Sequence, residues 1–196
     1  MPQYNLKLNT TIDNSYSNGL LPQRNNKNIF YQETSSRSNL ANFSLNSENR
    51  RIINKTEKYH FQLIPIDEFT YDISVQKTIF KWIKELGWDF PISSVKKIFT
   101  DHIFNYVYIW KDEEQHIIAY SVCYFSEKIS HIAYVFYDSK YSHQNLPIRL
   151  TLQTIIDSHQ KNLDYCYLGR FSEKTGFYKR TMPGFEYYKD QTWVTL

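Results

Sequence analysis

The stretch IFNYVYIWKDEEQHIIAYSVCYFSEKISHIAYVFY, residues 103 to 137, decides the fold. Three aromatic and β-branched runs, 103–110, 117–125 and 129–137, are separated by the polar connectors KDEEQH and SEK. Such residues fit a pleated, half-buried surface, and connectors this short turn a chain straight back on itself. The pattern predicts an antiparallel meander of three strands.

Working outward, a polar loop (DSKYSHQN) is followed by LPIRLTLQTIIDSHQ. Pro147 suits the first turn of a helix, where its missing N–H costs little. YCYLG, residues 165 to 169, is another strand. Because it follows a helix, the strand–helix–strand unit from 129 to 169 predicts a parallel pair in one sheet. A short helix over 174–181 and the terminal strands FEYY and TWVTL complete that side. Upstream, HFQLIPI (60–66) reads as a strand, and residues 67 to 86 carry a helix ending at Gly87, with Ile79, Trp82, Ile83 and Leu86 on one face. A second helix follows Pro91 over 93–99. Ser44 or Ser47 is the expected cap of a helix bearing Glu48 in its first turn and a basic stripe of Arg51, Lys55 and Lys58. Residues 29 to 43 offer one or two short strands. Residues 1 to 29 read as a polar extension, loop or poorly ordered, pinned by Tyr16, Leu20 and Leu21, before a single domain over 30–196. The fold class is mixed α/β: a mostly antiparallel sheet with flanking helices and one crossover.

A chain of 196 residues with 41% hydrophobic content buries a core without staples. A net charge of +3 permits contact with nucleic acid without the strong footprint of a dedicated binder. Cys123 and Cys166 sit in apolar runs and are expected to be buried, reduced thiols. No apolar run reaches membrane-spanning length and the N-terminus lacks a signal-peptide core, so a soluble, cytoplasmic protein without a membrane partner is expected. The six histidines show no metal-ligand spacing, and no metal is assigned.

This order of elements resembles the acyltransferase fold of the GCN5-related N-acetyltransferases, in which the fourth and fifth strands splay and the donor enters between them. Here those are 129–137 and 164–168. Acetyl-CoA-dependent members carry Q/R-x-x-G-x-G/A after the fourth strand, whose glycines let amides approach a pyrophosphate. The chain has Gln144-Asn145-Leu146-Pro147-Ile148-Arg149 there, with both glycines replaced. Three stretches, SRSNLANFSLNSENRRIINK (36–55), YDSKYSHQNLPIRLTLQTI (137–155) and YCYLGRF…GFYKRTMPGFEYY, look like the arginyl-tRNA–protein transferases and their bacterial leucyl-transferring relatives. The family's N-terminal cysteine cluster has no counterpart.

The resemblance implies transfer of an amino acid from aminoacyl-tRNA to a protein or peptide amino group, with no cofactor beyond the charged tRNA donor. On this reading Arg50, Arg51, Lys55 and Lys179 contact tRNA, and Asn145, Leu146 and Gly169 lie against the donor. Tyr167 and Tyr178 donate or relay a proton, and Asp138 recognises the incoming amine or a cationic amino acid. Each has a plainer reading: core-edge hydroxyls for the tyrosines, solvated helix faces for the cations, a strand-end carboxylate for Asp138. His131 and His143 flank the cleft as candidate bases, with a structural role the plainer alternative. A bulge near Phe136 and Tyr137 would supply amide donors for the oxyanion. Two alternatives stand beside this: an acetyl-CoA-dependent N-acetyltransferase with a degenerate turn, and a non-catalytic module that binds tRNA or protein.

Overall fold

The computed structural model describes residues 12–172 and 176–195. Its centre is an eight-stranded sheet flanked by helices on both faces. The meander is β5 (Tyr106–Lys111), β6 (Ile117–Phe125) and β7 (Ile129–Tyr137), all antiparallel, with β4 (His60–Pro65) outside β5. Beyond β7 comes β8 (Tyr165–Arg170), the one parallel neighbour, joined to β7 through α5 (Leu146–Gln160) as the crossover. Next is β3 (Ser35–Asn39), then the terminal hairpin of β9 (Phe185–Lys189) and β10 (Thr192–Thr195). The mixed, mostly antiparallel sheet is the class the sequence predicts.

Two cores form because the helices divide between the faces. On one face α5 and α2 (Ser47–Lys55) bury Ile52, Leu146, Leu150, Leu152 and Ile155 against Ile132, Cys123 and Cys166. Both thiols are fully buried and unpaired, and burial raises their pKa, so they pack as small apolar groups. On the other face α3 (Ile73–Glu85) and α4 (Ile92–Thr100) bury Ile79, Trp82, Ile83, Val95 and Ile98 over Val122 and Phe136. Gly87, at φ +66°, follows α3 in a left-handed conformation.

Residues 12 to 29, read from sequence as loop or loose extension, form a helix, α1 (Ile12–Ser17), and a hairpin of β1 (Leu20–Gln23) and β2 (Asn26–Gln32). Tyr16, Leu20, Leu21 and Phe30 make a third core with Ile129 and Tyr167. Residues 1–11 lie outside the described part. The cap of α2 is neither Ser44 nor Ser47 but Asn46, whose side chain takes the Asn49 amide while the Asn49 side chain takes the Asn46 amide. Lys58 stands beyond the end of that helix, so the basic stripe is shorter than its spacing implies. The short helix expected over 174–181 is a 3₁₀ turn over Phe177–Thr181; residues 173–175 are outside the described part.

Candidate functional site at the parting of two strands

β7 and β8 pair only over Ile129–His131 and Tyr165–Tyr167, then separate. Two irregularities accompany the separation. In β7, Ile132 faces Cys123 and Tyr134 faces Val122, which leaves Ala133 as the extra residue. In β8, Gly169 faces Ser36 and Tyr167 faces Arg37, which leaves Leu168 extra. A bulge bends and twists its strand and redirects side chains. The first therefore places His131, Tyr134 and Phe136 on the α3–α4 face although their spacing is irregular, and Ile132 and Val135 on the α5 face. It lies at Ala133 and not near Phe136 and Tyr137, where the sequence reading looked for it.

The parting opens a cavity of about 480 Å³. Its walls are the β1–β2 hairpin (Leu21 to Asn25, with Tyr31), Phe104, His131, Ala133 and Tyr134 from β7, and Gly169 and Arg170 from β8. Arg24 and Arg170 belong to the lining. Arg24 lies 4.1 Å from the centre of the Phe90 ring, and Arg170 pairs with Glu33 at 3.2 Å. Burial pushes the Tyr134 hydroxyl up to about 12, against the opposing pull of Arg24.

His131, in the lining, is 4% exposed. Its Nδ1 meets the Tyr16 hydroxyl at 2.8 Å, and its Nε2 is buried without a partner among the described residues. Burial, with a smaller push from the Lys179 charge, lowers its pKa to about 3, so the ring is neutral at physiological pH. Gly169 adjoins it at φ +75°, a region costly to residues with a side chain. A Cβ there would stand 3.6 Å from His131 Nε2 and 3.9 Å from Lys179 Nζ. Lys179 reaches in from the 3₁₀ turn and donates to the carbonyls of Leu168 and Arg170, each at 2.6 Å, holding the free end of β8. Burial lowers its pKa to about 8.

His131, Gly169 and Lys179 are thus brought together at the parting; the other sequence candidates are not. Tyr167 is fully buried, packed on Tyr16 and Trp193. Leu146, the first residue of α5, is fully buried. Tyr178 lies on the α5 face between Thr151 and Tyr137. Asp138 caps the turn after β7 by accepting from the Lys140 amide, the plainer of its two readings. Asn145 begins α5 at φ +63° and makes no side-chain cap. Arg50 donates to the Leu45 carbonyl, Arg51 is paired with Glu48, and Lys55 is exposed on the same helix; none of the three lines the cavity. His143 is exposed in the turn before α5. Arg24, and the contact of Tyr16 with His131, have no signal in the sequence, because they sit in a segment whose polar composition masks a hairpin. For His131, the strand-end position was the one available signal.

No family model matches the sequence, and no curated protein matches it. Solved structures do. FemX aligns over 93% of this chain and 67% of its own, at 10% identity and a TM-score of 0.57. The C-terminal domain of a protein described as a lysylphosphatidylglycerol synthetase, from Agrobacterium fabrum, aligns over 70% of this chain at 12% identity and a TM-score of 0.52. The GCN5-related glucosamine N-acetyltransferase region of a fungal multi-domain β-N-acetylglucosaminidase aligns over 79% of this chain and 19% of its own, at 13% identity and a TM-score of 0.51. The fold is that of the GCN5-related N-acetyltransferases. This chain spans 46% of the Agrobacterium structure, about half its length.

The N-terminus of α5 presents backbone amides to the space beside β7 only where its first turn keeps its donors. Here Pro147 occupies the first turn and removes a donor. Leu146 and Arg149 turn inward, and Burial lowers the Arg149 pKa. Among the described residues there is no group of three or more His, Cys, Asp or Glu side chains placed to hold a metal, and no helix long and apolar enough to cross a membrane.

Proposed function

We propose that the protein is an acyltransferase that takes an amino acid from aminoacyl-tRNA and joins it to an amino group. The observation that carries this reading is the cavity where β7 and β8 part, with two arginines and two tyrosines in its lining. Arginines beside aromatic rings suit the phosphates and bases of an RNA 3′ end. The proline in the first turn of α5 argues against coenzyme A as donor. The lipid named in the Agrobacterium neighbour carries a lysyl group, which is transfer of the same kind to a different acceptor. The resemblance of YCYLGRF…GFYKRTMPGFEYY to the arginyl- and leucyl-transferring enzymes narrows the acceptor to a protein or peptide amine.

The chemistry asks little of the protein. The amine nitrogen attacks the ester carbonyl carbon, a C–N bond forms, and the π pair moves to oxygen. Collapse breaks the C–O ester bond, and the proton lost by the amine ends on the departing ribose oxygen. The ester is already activated, so positioning and stabilisation of the oxyanion supply the rate. The test is incubation with tRNAs charged with labelled amino acids, with peptide amines and phosphatidylglycerol vesicles as acceptors. Label should reach the peptide; no transfer from any charged tRNA to either acceptor overturns the reading. Acetyl-CoA at millimolar concentration should leave Tm unchanged, and a rise would return coenzyme A as donor.

A further inference from the structure

The His131 ring has an assignable tautomer. A phenol is a stronger donor than an imidazole N–H, and a ring nitrogen is a stronger acceptor than a phenol oxygen. The 2.8 Å contact is therefore Tyr16 O–H donating to Nδ1, and Nε2 carries the ring hydrogen. That N–H is buried, lacks a partner among the described residues, and stands beside the space over Gly169. The Lys179 ammonium borders the same space and has three hydrogens, two of them committed to carbonyls. Two donors from different strands and turns thus flank a gap that any side chain at 169 would fill. An unfilled donor buried this deeply is costly unless something accepts from it.

We propose that the gap over Gly169 is a two-oxygen site, with His131 Nε2–H and Lys179 Nζ–H each donating to one oxygen of a carboxylate or of a tetrahedral acyl intermediate. A carboxylate placed there reaches one donor with each oxygen. In aminolysis the oxyanion and the departing ester oxygen sit on one carbon with similar spacing, so the same site holds both. His131 and Lys179 are then catalytic residues for the proposed transfer, and Tyr16 is a positioning residue that fixes which ring nitrogen bears hydrogen. The ring is neutral and the ammonium charged near pH 7, as the site requires. The acyl-transfer part of this inference rests on the function proposed above; the binding of a small carboxylate does not.

The test uses the full chain labelled with ¹⁵N and acetate as the probe. Long-range ¹H–¹⁵N spectra, with His131 assigned by its loss in His131→Gln, should show the Nε2-protonated pattern. Acetate should shift the Nε2 signal saturably. Gly169→Ala and Lys179→Met should each weaken acetate binding at least tenfold, and Tyr16→Phe should shift the tautomer balance toward Nδ1–H. Because Gly169→Ala strains the backbone, circular dichroism accompanies it, and Lys179→Met gives an independent reading. An Nδ1-protonated ring, no saturable shift, or equal acetate affinity in Lys179→Met overturns the proposal. Acetate binding without tRNA-dependent transfer removes the donor and keeps the site; transfer without an acetate-responsive His131 removes the site and keeps the donor.

Discussion

At the scale of single residues, the site is a set of polar groups whose charge states burial has chosen. His131 is the third residue of the strand 129–137, and nothing in its neighbours announces an unpartnered nitrogen. That property comes from Tyr16, more than a hundred positions away, closing over one side of the ring. Gly169 was legible because a glycine ending a strand invites a positive φ, and Lys179 through its place in the Y-K pair. The His131 pKa has a measurable consequence. Folding lowers it from 6.5 to about 3, so the unfolded chain binds a proton between those values and the native chain does not. The stabilisation is complete above pH 6.5 and is lost as pH falls toward 3. Urea unfolding at pH 7.5 and pH 4.5 should therefore show a larger loss for the native sequence than for His131→Gln. Equal losses would mean that the ring is not held neutral.

At the scale of elements, strands and helices with strong periodicity are legible in the sequence, and several with polar composition are not. The meander, α3, α5 and the parallel β7–β8 pair follow from apolar runs and connector lengths. The β1–β2 hairpin does not, because its strands are short and several of its residues are exposed asparagines and a lysine. Nor does the Ala133 bulge, since one extra residue leaves the strand's composition unchanged. Asn46 and Ser47 are adjacent and equally good formers of a cap, so composition does not decide between them, and the structure places the cap at Asn46. Asn46→Ala should cost about 1–2 kcal/mol, because it removes the cap and also the donor to the Thr181 carbonyl. Ser44→Ala and Ser47→Ala should each stay within about 0.5 kcal/mol. Denaturation midpoints of the three variants separate the assignments.

At the scale of the whole molecule, β3 is the element that makes one sheet of two halves. Its sequence, Ser-Ser-Arg-Ser-Asn, is polar, yet its first four residues are buried. Three of the four buried side chains are satisfied, while the Ser35 hydroxyl has no partner among the described residues. Ser36 donates to the Gly169 carbonyl, Ser38 to the Pro183 carbonyl, and Arg37 meets Glu186 at 2.7 Å between the rings of Tyr165 and Trp193. Arg37→Ala or Glu186→Ala should each cost about 3–5 kcal/mol by stranding its partner, and the double variant less than the sum. Equal, additive and small losses in a denaturant cycle would show the pair to be solvated. The placement also bears on how a ribosome makes this protein. Residues 35–39 are synthesised early, but both neighbours they need, β8 and β9, come from residues 165 and beyond. An apolar strand left waiting through that interval would be free to join another nascent chain. A serine-rich one is at ease in water, so the polarity of β3 keeps it unattached until its partners arrive.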